Sequence, residues 1–173
     1  MINQPHEIVF TTTPDFLSIK KANPPYYYSE RRGVDSVAVF LINTNNQVLI
    51  RYQPLTQFDD QRLFACPVTG TMEPNMSPLQ VARKEVKEEA GYDVRNLPFI
   101  DLGGYIVGTQ TNERVYMFAW DVTFLEPEIP EGDGTVHEAM SENGWLDFDA
   151  AFEVAEYSGL LIGLFLLRQR GLI

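Results

Sequence analysis

The sequence predicts an α/β fold of the mixed (α+β) kind, one mixed β-sheet packed between helices. Three observations lead there: strand-like apolar runs dominate the middle of the chain, one sharply bounded helical segment falls between them, and a second helical pattern follows the last run. At 173 residues, 45% hydrophobic and 12% aromatic, the chain can bury one sizeable core and is short for two. Residues 34–173 therefore read as one domain, with residues 1–33 as a small N-terminal β-extension.

In chain order, Ile8 to Thr12 and Tyr26 to Arg31 are the strand candidates of the extension. Val34 to Ile42 and Gln47 to Tyr52 form a hairpin around the turn Asn43-Thr44-Asn45-Asn46, and Leu63 to Val68 is the next strand. A helix over about Pro78 to Ala90 has both ends written locally. Ser77 is the N-cap, Pro78 takes the first helical position, Gln80 completes a capping box and Gly91 stands at C′. Phe99 to Val107 and Arg114 to Phe124 are further strands. The last element is a helix over about Asp149 to Gln169, with Val154, Leu161, Leu164 and Phe165 at helical spacing and Gly159 and Gly163 weakening its middle.

Charge and cysteine content narrow the function classes. A formal net charge of −11 argues against a partner that is a nucleic acid polymer, which needs a basic stripe to displace counterions. A small anionic substrate stays open if a metal ion bridges it to acidic protein. The single Cys66 excludes an intrachain disulfide framework, and the opening Met1-Ile2-Asn3-Gln4-Pro5-His6-Glu7 lacks the pattern of a secretion signal, so a cytoplasmic protein is expected. The longest apolar run, Gly159 to Leu167, falls short of the roughly 18 residues of a membrane span, so no membrane partner is expected.

The first helix carries the chemistry. At about 100° per residue, Leu79, Ala82, Val86 and Ala90 share a stripe that packs on the sheet, while Arg83, Lys84 and Lys87 occupy a second arc. Glu85, Glu88 and Glu89 cluster on a third arc, where three carboxylates converge. The arrangement is locally unfavourable, because Glu85 and Glu89 repel at i,i+4 and all three lie in the negative half of the helix dipole. Removing either charge should relieve that repulsion. A hard divalent cation would offset it, since Mg²⁺ takes carboxylate oxygens together with water and phosphates. A solvated charged face would look the same from helix spacing alone, and the preceding loop decides between the two.

From Gly70 the chain reads Gly70-Thr71-Met72-Glu73-Pro74-Asn75-Met76-Ser77-Pro78, then Arg83-Lys84-Glu85-Val86-Lys87-Glu88-Glu89-Ala90-Gly91-Tyr92. This resembles the box of the Nudix hydrolase family: Gly, five residues, Glu, seven residues, Arg-Glu, an aliphatic residue, any residue, Glu-Glu, any residue, Gly and an aliphatic or aromatic residue. Gly70, Glu85, Val86, Glu88, Glu89, Gly91 and Tyr92 match in register, whereas Met76 stands for the first Glu and Lys84 for the Arg. Arg51-Tyr52-Gln53-Pro54, Phe64-Ala65-Cys66-Pro67 and Asn143-Gly144-Trp145-Leu146 look more like the ADP-ribose and sugar-nucleotide pyrophosphatase branch than the nucleoside-triphosphate branch.

The resemblance implies a Nudix hydrolase domain over 34–173 that uses Mg²⁺, with Mn²⁺ as an alternative, to direct water at the diphosphate of a nucleoside diphosphate linked to another group. By position, Glu85 and Glu89 become the principal metal ligands, Glu88 a supporting or catalytic one, and the Thr69 carbonyl a further ligand. Gly70 lets the loop approach metal and substrate closely. Glu138 or Glu142 on the segment before the last helix is the candidate base. Arg31, Arg32 and Arg51 are candidate substrate contacts, and Tyr26, Tyr27 and Tyr28 could stack a base or pack a core. The branch resemblance and the extension suggest a homodimer. Two alternatives stand beside this reading, both motivated by the departures at Met76 and Lys84 or by the family's breadth: a turnover-deficient domain that binds a nucleotide as sensor or scaffold, and a nucleoside-triphosphate pyrophosphatase.

Overall fold

A computed structural model of the chain describes residues 7–22, 26–55, 62–132 and 139–173. The first three strands, β1 (Glu7–Thr11), β2 (Leu17–Lys21) and β3 (Tyr27–Arg31), form an antiparallel sheet of their own in the order β1-β2-β3. The middle strand β2 was not expected from its sequence. Leu-Ser-Ile-Lys-Lys has little apolar patterning, and its ladder partners on both sides supply what its side chains do not.

A seven-stranded mixed sheet makes up the body. It contains β4 (Ser36–Ile42), β5 (Gln47–Pro54), β6 (Leu63–Cys66), β7 (Val68–Thr71), β8 (Ile100–Ile106), β9 (Arg114–Asp121) and β10 (Glu142–Asp147), with the central path β10-β5-β4-β9-β8. Among the described strands of this sheet only β4 and β9 are parallel neighbours, with Ser36 opposite Val115 and Ile42 opposite Asp121. The expected strand over 63–68 is two strands, because Pro67 has no N–H to give the ladder and the chain changes partner there. β6 pairs with β5, and β7 pairs with β4. Since β4 and β5 share only the Ile42–Val48 pair, this short segment crosses the split between them and delivers Thr69 and Gly70 to the start of the helix-bearing loop.

Strand β4 is buried along its whole length, so Ser-Val-Ala-Val-Phe-Leu-Ile reads as a continuous apolar run rather than an alternation. Val37, Val39 and Leu41 face a core with Val81, Ala82, Val86 and Ala90 of α1 (Pro78–Ala90). Ala38, Phe40 and Ile42 face a second core with Leu160, Leu164 and Leu167 of the C-terminal helix. The sheet is thus packed between helices, as the element order predicted.

The C-terminal helix differs from expectation in two ways. It is broken into α2 (Phe148–Glu153) and α3 (Ser158–Gln169), with Val154 as the C-cap of the first and Tyr157 as the N-cap of the second. Its buried face runs through Gly159, Leu160, Gly163, Leu164 and Leu167, while Phe165 is 63% exposed. The two glycines explain the second difference. A Cβ at Gly163 would lie 1.9 Å from Cζ of Phe40, and one at Gly159 would meet the Tyr157 ring at 2.6 Å, so both sit on the packed face. Among the described residues no helix is long and apolar enough to cross a membrane.

Candidate active site

Helix α1 begins and ends as its caps dictate. Gln80 N–H donates to Ser77 Oγ at 3.3 Å, Ser77 N–H donates to Gln80 Oε1 at 2.8 Å, and Gly91 closes the helix at φ 77° with its N–H on the Lys87 carbonyl. The loop before it folds through Glu73-Pro74-Asn75-Met76. Met76 N–H donates to the Glu73 carbonyl at 3.3 Å and Asn75 stands at φ 66°, a turn with Pro at i+1 and a left-handed Asn at i+2. The turn sends the two flanking side chains in different directions. Met76 packs against the core beneath α1, and Glu73 meets Lys84.

A cleft of about 850 Å³ opens beside this helix. Glu85, Glu88, Glu89 and Lys84 line it from α1, Thr69, Gly70 and Thr71 from β7, and Glu73 from the loop. Arg31, Arg32 and Phe16 reach it from the N-terminal sheet. Its far wall adds Ser36, Glu113 and Tyr157. A smaller cleft of about 370 Å³ shares Glu88 and Glu89 with the first and adds Arg51, Glu142 and Asn143.

The three helix carboxylates are not equivalent. Glu89 is 9% exposed and accepts from Thr69 N–H at 3.2 Å. Arg51, 5% exposed, brings Nε to 3.4 Å from Glu89 Oε1 and donates from Nη1 to the Glu89 carbonyl at 3.2 Å. Asn143 Nδ2 donates to the same carbonyl at 2.8 Å. Glu88 pairs with Lys84 at 3.0 Å. Glu85 has no hydrogen bond or ion pair of its own among the described residues. Burial pushes its carboxyl up to about 8, and the charge of Glu89 adds to that. A Cβ at Gly70 would come within 2.3 Å of Cγ, Cδ and Oε1 of Glu85, so the close approach that Gly70 permits is first of all to this side chain.

The carboxylates share a wall but do not close on one point: among the described residues, no three acidic, histidine or cysteine side chains are gathered tightly enough to hold an ion as they stand. Lys84 draws Glu88 one way and Arg51 draws Glu89 another. Arg51 lines the smaller cleft and is itself held by Glu89 and by Asn143 Oδ1 at 3.4 Å.

Of the remaining expected residues, Glu142 is the first residue of strand β10 rather than a loop carboxylate and faces the smaller cleft. Glu138 lies outside the described residues. Arg31 is at the large cleft but tied down, with Nη2 on Glu113 Oε1 at 2.7 Å and Nη1 on Thr71 Oγ1 at 3.0 Å, and Ser36 Oγ donates to the same Glu113 oxygen at 2.6 Å. Arg32 also lines the cleft, and its guanidinium has no recorded partner among the described residues. Tyr26 and Tyr27 are largely exposed and do not line the cleft. Sequence reasoning missed Glu73, Glu113, Phe16 and Tyr157. The Glu-Pro-Asn-Met turn was a usable signal for the first; the others are joined to the site only by the fold.

The family model of the NUDIX domain matches residues 33–161. A solved structure described as "Crystal structure of ADP compounds hydrolase" superposes with a TM-score of 0.70 at 15% identity, covering 96% of this chain and 91% of that one, a likeness of fold. No curated protein matches the sequence. Nudix hydrolases generally use divalent metal cations. On its box, its mixed sheet between helices and the match over residues 33–161, the chain belongs to the Nudix family of pyrophosphohydrolases.

Proposed function

We propose that this chain hydrolyses the diphosphate of a nucleoside diphosphate linked to another group, of the ADP-ribose or sugar-nucleotide kind, with Mg²⁺ bound and Mn²⁺ able to replace it. The observation that carries the reading is Glu85. It is a half-buried carboxylate beside Glu89, without a protein cation of its own, at the wall of a cleft that also receives Arg32. A group in that setting is either protonated or matched by a cation from outside the chain. The donor set suits Mg²⁺, which takes one or two carboxylates and fills its remaining positions with water and phosphate oxygens, so a closed cage of three is not required.

Glu85 and Glu89 would hold the ion, with Glu88 and the Thr69 carbonyl in support. When bound, the ion would neutralise phosphoryl oxygens and lower the pKa of attacking water. The chain's own residues supply the rest. Arg32, which lines the cleft, would meet phosphate charge, and Gly70 leaves room for the Glu85 side chain against β7. A carboxylate must accept the proton as water oxygen bonds to phosphorus and the bridging P–O bond breaks, giving two phosphorylated products. Glu88, which lines both clefts, and Glu142 in the smaller one are the candidates for this among the described residues. Glu138 is the third candidate by position in the sequence.

We read the protein as cytoplasmic and as a homodimer with no nucleic acid polymer among its partners. Ile8, Val9 and Phe10 of β1 are each more than half exposed, an apolar strand that a second copy would cover. Sedimentation at micromolar concentration should show a dimer, and a fully active monomer would remove that part. The activity is tested by incubating the protein and Mg²⁺ with ADP-ribose, sugar nucleotides, dinucleoside polyphosphates and nucleoside triphosphates, and reading released monophosphate or phosphate. Cleavage of the first two classes is expected. Preference for triphosphates would move the chain to the other branch. Nucleotide binding without cleavage, with turnover gained in a Met76→Glu/Lys84→Arg variant, would identify a binding module.

A further inference from the structure

Lys84 stands where the family box has Arg, and Met76 where it has Glu. The loop carboxylate that meets Lys84 comes from three residues earlier, at Glu73. The turn at Pro74-Asn75 lifts Glu73 over the helix, where its Oε1 lies 2.8 Å from Lys84 Nζ. The same Nζ lies 3.0 Å from Glu88 Oε2, one helical turn on. One ammonium therefore serves two carboxylates, one on the loop and one on the wall of the cleft.

We propose that Glu73 is a positioning residue for the cation site: by holding half of Lys84, it keeps that ammonium from neutralising Glu88 outright and leaves the Glu88 carboxylate available to the cleft. An ammonium has three rotatable donors and no fixed fork, so it can divide itself between two acceptors in different directions. Without Glu73, nothing on the loop competes for it, and the i,i+4 pair with Glu88 tightens. A cation entering the cleft must then displace a whole ion pair instead of a shared one. Lys84 and Glu73 are each about 40% exposed, so the coupling is that of a half-open pair.

This inference rests on the proposed cation site, and its test reads metal binding rather than turnover. Mn²⁺ affinity is measured by electron paramagnetic resonance, with no substrate present, for the parent, Glu73→Gln, Lys84→Met and the double variant, alongside thermal melting of each. Glu73→Gln should weaken Mn²⁺ binding about threefold, the size a half-open ion pair supports. In the Lys84→Met background the same substitution should change affinity by less than about 1.5-fold, because no ammonium remains to be released. A loop that is merely destabilised would lower the melting temperature and leave Mn²⁺ affinity as it was. An unchanged affinity in Glu73→Gln, or an equal loss in both backgrounds, overturns the positioning role while leaving the cation site intact. A parent that binds no Mn²⁺ overturns the cation site itself and this inference with it.

Discussion

Replacing Glu85 by glutamine should stabilise the metal-free protein, and only above the acid range. In the folded chain the Glu85 carboxyl is pushed up to about 8, first by burial and then by Glu89, from an ordinary 4.5. Between those two values the folded state retains a proton that the unfolded chain has released. The stability associated with Glu85 is therefore present below about pH 4.5 and lost as pH rises towards about 8. At about 1.4 kcal/mol per pH unit the full loss would approach 5 kcal/mol, and solvent at the open cleft reduces it to about 1–3 kcal/mol. For a chain of this size that corresponds to a melting temperature roughly 3–10 °C higher in Glu85→Gln than in the parent at about pH 9, and to little difference at about pH 5. Thermal melts of both proteins in chelator at the two pH values measure this directly. Millimolar Mg²⁺ should then raise the parent at the higher pH and leave the variant nearly unmoved. Equal effects at both pH values, or a loss of stability at the higher one, would refute the argument that Glu85 is a buried charge without an ion pair of its own.

The neighbouring positions should behave differently. Glu89→Gln, which helix spacing alone expects to relieve repulsion, should instead destabilise the fold by about 2–4 kcal/mol, because Arg51 is buried and loses its counter-charge, and chemical denaturation would show the opposite sign from Glu85→Gln. Gly70→Ala should cut turnover more than tenfold with a smaller effect on the melting temperature, since the new Cβ would displace the Glu85 carboxylate; an unaffected rate would separate Glu85 from the chemistry. Met76→Glu should lower stability by about 1–3 kcal/mol without raising the rate, because that side chain packs on the core and the loop carboxylate is already supplied by Glu73.

The sequence by itself determined the helix at 78–90, both of its ends and the arc of Glu85, Glu88 and Glu89, because capping and helical periodicity act between residues no more than four apart. It also located β4 and β5 on either side of the turn at Asn43-Thr44-Asn45-Asn46, since a β-rich run, a turn and a second apolar run follow in order. The edge strand β10 was not legible, because Glu-Asn-Gly-Trp-Leu-Asp is polar and holds its place through the ladder with β5. The buried face of α3 was equally hidden, since what requires Gly159 and Gly163 is the approach of Tyr157 and Phe40 rather than any local preference. Above all, the tertiary structure decided which cation meets which carboxylate. Arg51 comes to Glu89 from β5, Arg31 to Glu113 from the N-terminal sheet, and Lys84 to Glu73 across a turn. Like charges on one helix face announce themselves in the spacing, but their partners arrive from strands far along the chain, and only that arrangement leaves Glu85 without one.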